Sequence, residues 1–338
     1  MFDSIITDNT FYEQLLRSDG NLLKSCLVLF MALLISRVAP LSRHLHPIVW
    51  FHQFALLLSK KVNHPQRSAQ QQLIAGIMAT TLLVIPIWFI IYFILSLAAY
   101  PWFFDFLVLY FCISDAGFKP VAKDVISALE HGQKGLAKTY LSPWLMQNTA
   151  SLSEMGICKA TIERLLISPS YGTVATILFY ALGGTPLVLL LHLFKQLEHC
   201  WPNYVPQYRY FGAAVYWINR IAFAVPQWLW NLTLVLQGGL SHLGAMFKKS
   251  KNIQGVYGAS SLYLGAKILQ IELGGPQKMT IGNAEYRVSI TKINPSRVPT
   301  IADVRNAISL TTWAVTFWLS FTIAIPILWT ALRWVQSM

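Results

Sequence analysis

The sequence predicts an all-α integral membrane protein, a bundle of about five to six transmembrane helices with cytoplasmic amphipathic helices and a small irregular cytoplasmic region. Three observations lead there. The chain is 55% hydrophobic and only 12% charged, with a mean hydropathy of +0.49, against roughly 25% charge in an ordinary soluble domain. Several apolar runs reach the ~20 residues needed to cross a bilayer. The basic residues collect between those runs, as membrane topology requires. The net charge of +12 is then explained without nucleic acid, and membrane lipid is the expected partner.

The opening MFDSIITDNTFYEQ is acidic and polar, lacks the basic start of a secretory signal peptide, and is expected to stay on the chain. The first apolar segment, Leu22 to Ser36, is short and contains Lys24. Residues 37–72 then carry Arg37, Arg43, Lys60, Lys61 and Arg67 with no Asp or Glu, which places this loop in the cytoplasm and the N-terminus outside. Leu73 to Ala99 has no charge and is the surest span; Tyr100 to Ser114 is interrupted by Asp105. Two crossings there return residues 115–170 to the cytoplasm. In that segment Val121, Val125, Ile126 and Leu129 share one helical face, and Ser151-Leu152-Ser153-Glu154 has the form of a capping box.

Thr173 to Phe194 is a second strong span, interrupted by Gly183-Gly184-Thr185-Pro186. Glycine and proline weaken a helix in water but are tolerated in a membrane, so Gly183 and Gly184 are expected at a helix contact or turn without room for a side chain. Tyr210 to Gln237 contains Asn219 and Arg220, a weaker span. Residues 238–308 form a basic cytoplasmic segment holding Lys248, Lys249 and Lys251, an apolar stretch YLGAKILQIELGG and a β-like run EYRVSITKI. Ser309 to Leu332 is the last span. The outcome is one membrane domain over residues 1–338, with six crossings or near-crossings and both termini outside. It is expected in the bacterial inner membrane as a multi-pass protein. No internal repeat is visible, which counts against an inverted-repeat transporter.

Chemistry-bearing motifs are sparse. Cys26, Cys112, Cys158 and Cys200 are scattered without a C-x-x-C pair and read as small buried thiols. Neither G-x-x-x-x-G-K-[ST] nor G-x-G-x-x-G occurs. His44, His46 and His52 lie close together with no acidic partner nearby and no familiar metal spacing, so interfacial or packing roles are expected and no metal ligand is assigned. Asp105 and Arg220 are intramembrane charges that fit either a structural ion pair or a functional role. Lys195, Glu198 and His199, at a span end, fit solvated headgroups.

Gly183, Gly184, Pro186 and Leu187 resemble an element of the CobD/CbiB family of cobalamin biosynthesis, the membrane-bound adenosylcobinamide-phosphate synthases. Leu197-Glu198 stands where that family has Leu-Asp, and Tyr208, Arg209 and Gly212 keep the register. His46-Pro47-Ile48-Val49-Trp50 is similar to the early His-Pro-Val-x-Trp element, and Thr149 and Glu163 keep the spacing of a central block. Pro226 falls at Pro-Ala-Arg, Leu273-Gly274-Gly275-Pro276 resembles a Leu-Gly-Gly element, and Ile301-Ala302-Asp303-Val304 the start of the last helix. The resemblance implies Glu163 and Glu198 as catalytic acids, His46, Trp50, Asn148 and Arg209 as ligand-binding residues, and Gly183, Gly184, Pro186, Gly274 and Gly275 as structural.

The departures share a chemistry. Met146-Gln147-Asn148-Thr149 replaces Gly-Arg-Asp-Thr, and Ile167-Ser168 replaces Glu-Asn, with Tyr171 for the following Asp. Asn219-Arg220 replaces Asp-Asp, while Gly255-Val256-Tyr257 and Leu262 replace Ser-Pro-Asn and a following Glu. The family reaction joins a corrinoid carboxylate to the amine of aminopropanol phosphate, which implies ATP and magnesium if the ligase is retained. Magnesium on phosphates is usually held by one or two carboxylates, and most of the candidates are lost. A similar loss of acids marks the related AmpE-type proteins associated with β-lactamase induction, and this chain resembles that divergent branch. Three readings stay open: a divergent family member with weakened or lost ligase activity, an active ATP-dependent ligase, and an AmpE-like regulatory membrane protein. The corresponding partners are a corrinoid ligand or another protein.

Overall fold

The computed structural model is predominantly helical, with one two-stranded hairpin. It describes residues 2–41, 45–64, 66–113, 115–145, 147–247, 258–281, 284–288, 291–294 and 296–337, with side chains from residue 19 onward except at 247, 280, 281, 284, 285 and 337. His44, Met146, residues 255–257 and the lysine run at 248–251 lie outside the described residues.

The first long helix, α1 (Phe2–Val38), is followed by α2 (Ile48–Val62) and α3 (Ala69–Leu97). Helix α3 begins at a capping box the sequence reading missed: Gln71 N–H donates to Ser68 Oγ at 3.3 Å and Ser68 N–H to Gln71 Oε1 at 3.2 Å. Two backbone donors are thereby satisfied where water is running out. Short apolar α4 (Pro101–Cys112) precedes the amphipathic α5 (Phe118–Glu130), which buries Val125, Ile126 and Leu129 on the expected face. After α6 (Lys134–Leu141), helix α7 (Glu154–Tyr171) starts at Ser153, whose Oγ accepts from Gly156 N–H at 3.2 Å. Ser151 instead belongs to a 3-10 turn and bonds Asn148 O, so the expected capping box does not form and the cap is two residues later.

Helix α8 (Thr173–Cys200) is broken at Gly183 (φ −153°, ψ 19°) and Gly184 (φ +65°, ψ −165°). The expected turn without room for a side chain is found at Gly183, where a Cβ would lie 2.8 Å from Leu187 Cδ2. A Cβ on Gly184 would meet only Pro186 Cδ at 3.6 Å, so it is the left-handed backbone that selects glycine there. Pro186 sits in the first turn after the break, where its missing N–H has no helical acceptor to lose. Trp88 of α3 donates its Nε1–H to Pro186 O at 2.8 Å and ties the break to its neighbour.

Beyond it lie α9 (Ala213–Ala222) and α10 (Ala224–Gly238), then α11 (Leu243–Phe247) and α12 (Ala259–Ile268). Strands β1 (Gln277–Ile281) and β2 (Ala284–Val288) pair antiparallel with Met279 opposite Tyr286, which places part of EYRVSITKI in a strand. The last helix, α13 (Ile301–Ser337), packs on α1, α5, α7 and α10. It runs against α1, and Arg333 meets Asp19 at 3.1 Å.

Among the described residues, four stretches are long and apolar enough to cross a membrane: Asp19–Val38, Ala69–Leu97, Glu154–Cys200 across α7 and α8, and Ile301–Gln336. On α3 the large side chains Ile77, Met78, Leu82, Phe89, Ile90, Phe93 and Ile94 are exposed, a surface that suits acyl chains and not water. The count differs from the expected five to six. Tyr210 to Gln237 is divided at Phe223 into helices of 10 and 15 residues, because Pro226 cannot donate and its ring excludes a helical carbonyl four residues earlier. Helix α4 has 12 residues, below the ~20 of a perpendicular span.

Candidate functional site

At 3.6 residues per turn, Ala160, Glu163, Arg164, Ile167 and Tyr171 share one face of α7. They form one wall of a cavity of about 520 Å³. The last turns of α8 supply Lys195, Gln196, Glu198, His199 and Cys200; the start of α2 brings His46, Ile48 and His52; Gln147, Leu262, Gly274, Gln277 and Met279 close the far side. The isolated bridge between Gln147 and Met279 holds the α6–α7 connection against the hairpin. Among these polar side chains the lining also carries apolar ones, Leu41, Leu56, Ile113, Trp144 and Leu145.

Both acids singled out in the sequence line this cavity, and each is held by a donor of the protein. Glu163 accepts from Gly274 N–H at 2.7 Å through Oε1 and from Gln277 Nε2 at 3.3 Å through Oε2. Glu198 Oε2 accepts from Lys195 Nζ at 2.7 Å. Lys195 is not in solvated headgroups as expected: its side chain is 1% exposed, with Nζ 5.2 Å from the Tyr171 ring centroid and 5.7 Å from that of Phe223. Arg164 stands over Tyr171 at 5.5 Å. One phenol ring thus lies between two cations. Burial, and then the Glu198 charge, push the neighbouring Tyr204 phenol well above its ordinary pKa.

A polar chain crosses the cavity wall. His52 Nε2 lies 3.0 Å from Gln196 Oε1, and Gln196 Nε2 lies 3.3 Å from His192 Nε2. The amide donates to His192 Nε2, which puts that ring's proton on Nδ1, and accepts from His52 Nε2–H. His46 also lines the cavity and accepts from Ile48 N–H at 3.2 Å through Nδ1.

The other expected ligand residues lie elsewhere. Trp50 is 70% exposed on the outer side of α2, because it lies two residues, about 200° around the helix, from both Ile48 and His52, which line the cavity. Asn148 caps the turn that precedes α7, its side chain accepting from Ala150 N–H at 3.0 Å. Arg209 is exposed and stacks over Tyr210. Gly274 (φ +70°) and Gly275 (φ +113°) both need left-handed backbone, and Gly274 presents its N–H to Glu163. Asp105 and Arg220 form no ion pair with each other among the described residues; Arg220 is exposed and donates to Tyr216 Oη at 2.8 Å. The buried pairs beside apolar helices are Lys195–Glu198 and Arg37–Asp115. Arg164, Lys195, His52 and Gln196 were missed as cavity residues. The available signal was spacing: Glu163-Arg164 with Ile167 and Tyr171 on α7, and Lys195 one turn before Glu198 on α8.

Of the carboxylates that could hold a magnesium ion, Glu163 and Glu198 are the two that line the cavity. Both carboxylates already accept from protein donors, and no trio of His, Cys, Asp or Glu is arranged for a metal among the described residues. Three of the positions at which the resemblance expects acids are Ile167, Tyr171 and Leu262, and all three line the cavity.

Fold and site together define a helical protein with membrane-length helices gathered around an amphipathic cavity. A family model described as CobD/Cbib protein matches residues 29–311. The chain belongs to the CobD/CbiB family of cobalamin biosynthesis. It is 27% identical over 208 residues to a cobalamin biosynthesis protein CobD of Geobacter metallireducens, covering 60% of this chain and 62% of the relative. It is 24% identical over 318 residues to a CobD of Chromobacterium violaceum, covering 90% and 98%, and 22% identical over 268 residues to a CbiB of Salmonella choleraesuis, covering 74% and 84%. The matches to the Geobacter and Clostridium perfringens proteins span less than two thirds of those relatives, at 62% and 64%. No solved structure matches.

Proposed function

We propose that the protein is a multi-pass inner-membrane member of its family that keeps a corrinoid-class binding cavity while its amide-forming ligase activity is weakened or lost. The observation that carries this reading is the composition of the cavity wall. Ile167, Tyr171 and Leu262 stand at positions where the family resemblance expects acids, and Gln147 where it expects Arg. Glu163 and Glu198 remain, engaged by Gly274 and Lys195. Removing groups that hold metal-bound phosphate costs orders of magnitude in rate. A lining that combines apolar side chains with Arg164 and Lys195 suits a large amphipathic molecule bearing carboxylates.

The test is complementation of a strain lacking its own adenosylcobinamide-phosphate synthase and fed cobyric acid, alongside thermal-shift binding of cobyric acid to the purified protein. Binding without growth is expected. Robust growth would refute the weakened-ligase reading and favour an active ATP- and magnesium-dependent enzyme, in which Glu163→Gln or Glu198→Gln should abolish growth. Neither growth nor binding would overturn the retained cavity and favour the AmpE-like reading, with a protein partner. Charge placement supports a cytoplasmic location for residues 37–72, so His64→Cys should resist labelling from outside intact cells.

A further inference from the structure

Leu165, Ser168 and Pro169 lie on the side of α7 away from the cavity already described, and they line a second one of about 380 Å³. It is bordered by the end of α1, by α5 and by residues 311–319 of α13, so it sits where the span Asp19–Val38 ends. Its walls carry three cations, Arg37, Lys119 and Lys123, against one acid, Asp115. Arg37 is committed to that acid: its Nη2 lies 3.3 Å from Asp115 Oδ2, and Thr173 Oγ1 bonds the same oxygen at 2.6 Å. The other carboxylate oxygen packs against Gly172, where a Cβ would lie 2.1 Å from it.

Lys119 and Lys123 remain. They are four residues apart on α5, hence on one face, and neither forms an ion pair among the described residues. Like charges at this spacing repel, and both side chains reach solvent on the polar face of α5 while lining the cavity. Lys119 is held below its ordinary pKa by lost hydration, then by Lys123 and Arg37, as expected of a cation facing other cations. Opposite them α13 contributes Thr311, Thr312 and Thr316. The Thr312 hydroxyl is buried without a hydrogen-bond partner, a donor left over at the cavity wall. Unneutralised ammonium groups, a spare hydroxyl and a location at the end of a membrane-length helix are the requirements for an anionic headgroup.

We propose that this second cavity is a phosphate-group site, filled by the headgroup of an anionic phospholipid held between α1, α5, α7 and α13. A soluble phosphate monoester carries the same chemistry, and the experiment separates the two sources. The full chain is purified in detergent, and binding of phosphatidylglycerol, phosphatidylcholine and glycerol 1-phosphate is read by native mass spectrometry and by thermal shift. Phosphatidylglycerol should bind selectively over phosphatidylcholine. In Lys119→Gln/Lys123→Gln its apparent affinity should fall roughly 30-fold, taking two surface lysines at their usual contribution. Lys119→Arg/Lys123→Arg should restore it. Lys60→Gln/Lys61→Gln, which removes two exposed lysines from the end of α2, should leave it unchanged. Both lysines of α5 are exposed, so an unaltered melting point without lipid is expected for the double variant. Equal binding of the two lipids, or an equal loss in both double variants, would overturn the site. Glycerol 1-phosphate binding as tightly as the lipid would overturn the lipid as occupant.

Discussion

Replacing Lys195 by methionine removes the ammonium that Glu198 accepts from at 2.7 Å and leaves the carboxylate, 11% exposed, facing the cavity. Breaking a buried pair costs about 3–5 kcal/mol, because one charge is left without compensation. Water entering the cavity relieves part of that, so Lys195→Met belongs at the lower end, about 3 kcal/mol. Glu198→Leu strands an ammonium that is 1% exposed; the Tyr171 and Phe223 rings return some of the loss, giving about 4 kcal/mol. The double variant carries no stranded charge, and apolar replacement of a buried pair is often close to neutral, so it should lie within about 1.5 kcal/mol of the parent. The assay is denaturant unfolding in detergent followed by tryptophan fluorescence, with Trp201 and Trp230 as fully buried reporters. A double variant near the sum of the singles, about 7 kcal/mol, would show two independent sites and refute the pairing.

Two further outcomes follow from the loops around the cavity. Gly274→Ala meets Thr291 O at 2.7 Å in a left-handed backbone and disturbs the N–H that holds Glu163, so it should cost about 2–4 kcal/mol; Gly275→Ala has nothing within 4 Å and should cost only its backbone strain, about 1–2 kcal/mol. Equal losses by denaturant unfolding would remove the contact argument. Lys159 at 2.6 Å and Lys292 at 3.3 Å hold the Glu272 carboxyl below the usual glutamate value. Its stabilisation is therefore complete above the unfolded pKa of about 4.3 and is lost as pH falls through the folded value. Glu272→Gln should flatten that acid limb, and an unchanged pH profile of unfolding would contradict the linkage.

How far the sequence could be read depended on whether a signal was local. The uncharged run that became α3 and the one-face spacing of Val125, Ile126 and Leu129 in α5 are local, and both were legible. So was the interruption at Gly183-Gly184, where a Cβ on Gly183 would crowd Leu187 and Gly184 needs left-handed backbone. Spans and interrupted helices were harder to tell apart: hydropathy over 210–237 is continuous, and only Pro226 marks the division at Phe223. At the site, Glu163, Glu198 and His46 share the cavity, but Trp50 and Arg209 do not, because neighbours in a motif can point to opposite sides of a helix or turn. Lys195 was misplaced for a related reason. Its position at the end of an apolar run suggested water, while the tertiary fold brings Tyr171 and Phe223 over it.

Helix α8 would be about 42 Å long if its 28 residues ran straight, against a hydrocarbon layer of about 30 Å. A rigid rod of that length answers a thin bilayer by tilting as a whole, carrying everything attached to it. The hinge at Gly183-Gly184 separates the two duties. The stretch before it, from Thr173 to Phe179, is buried almost throughout among its neighbours, while the stretch after it, tied through Pro186 to Trp88, runs on its own axis and carries Lys195, Glu198 and His199 to the cavity. One unbroken rod would fix both placements with a single axis; the glycines let each be set by its own contacts.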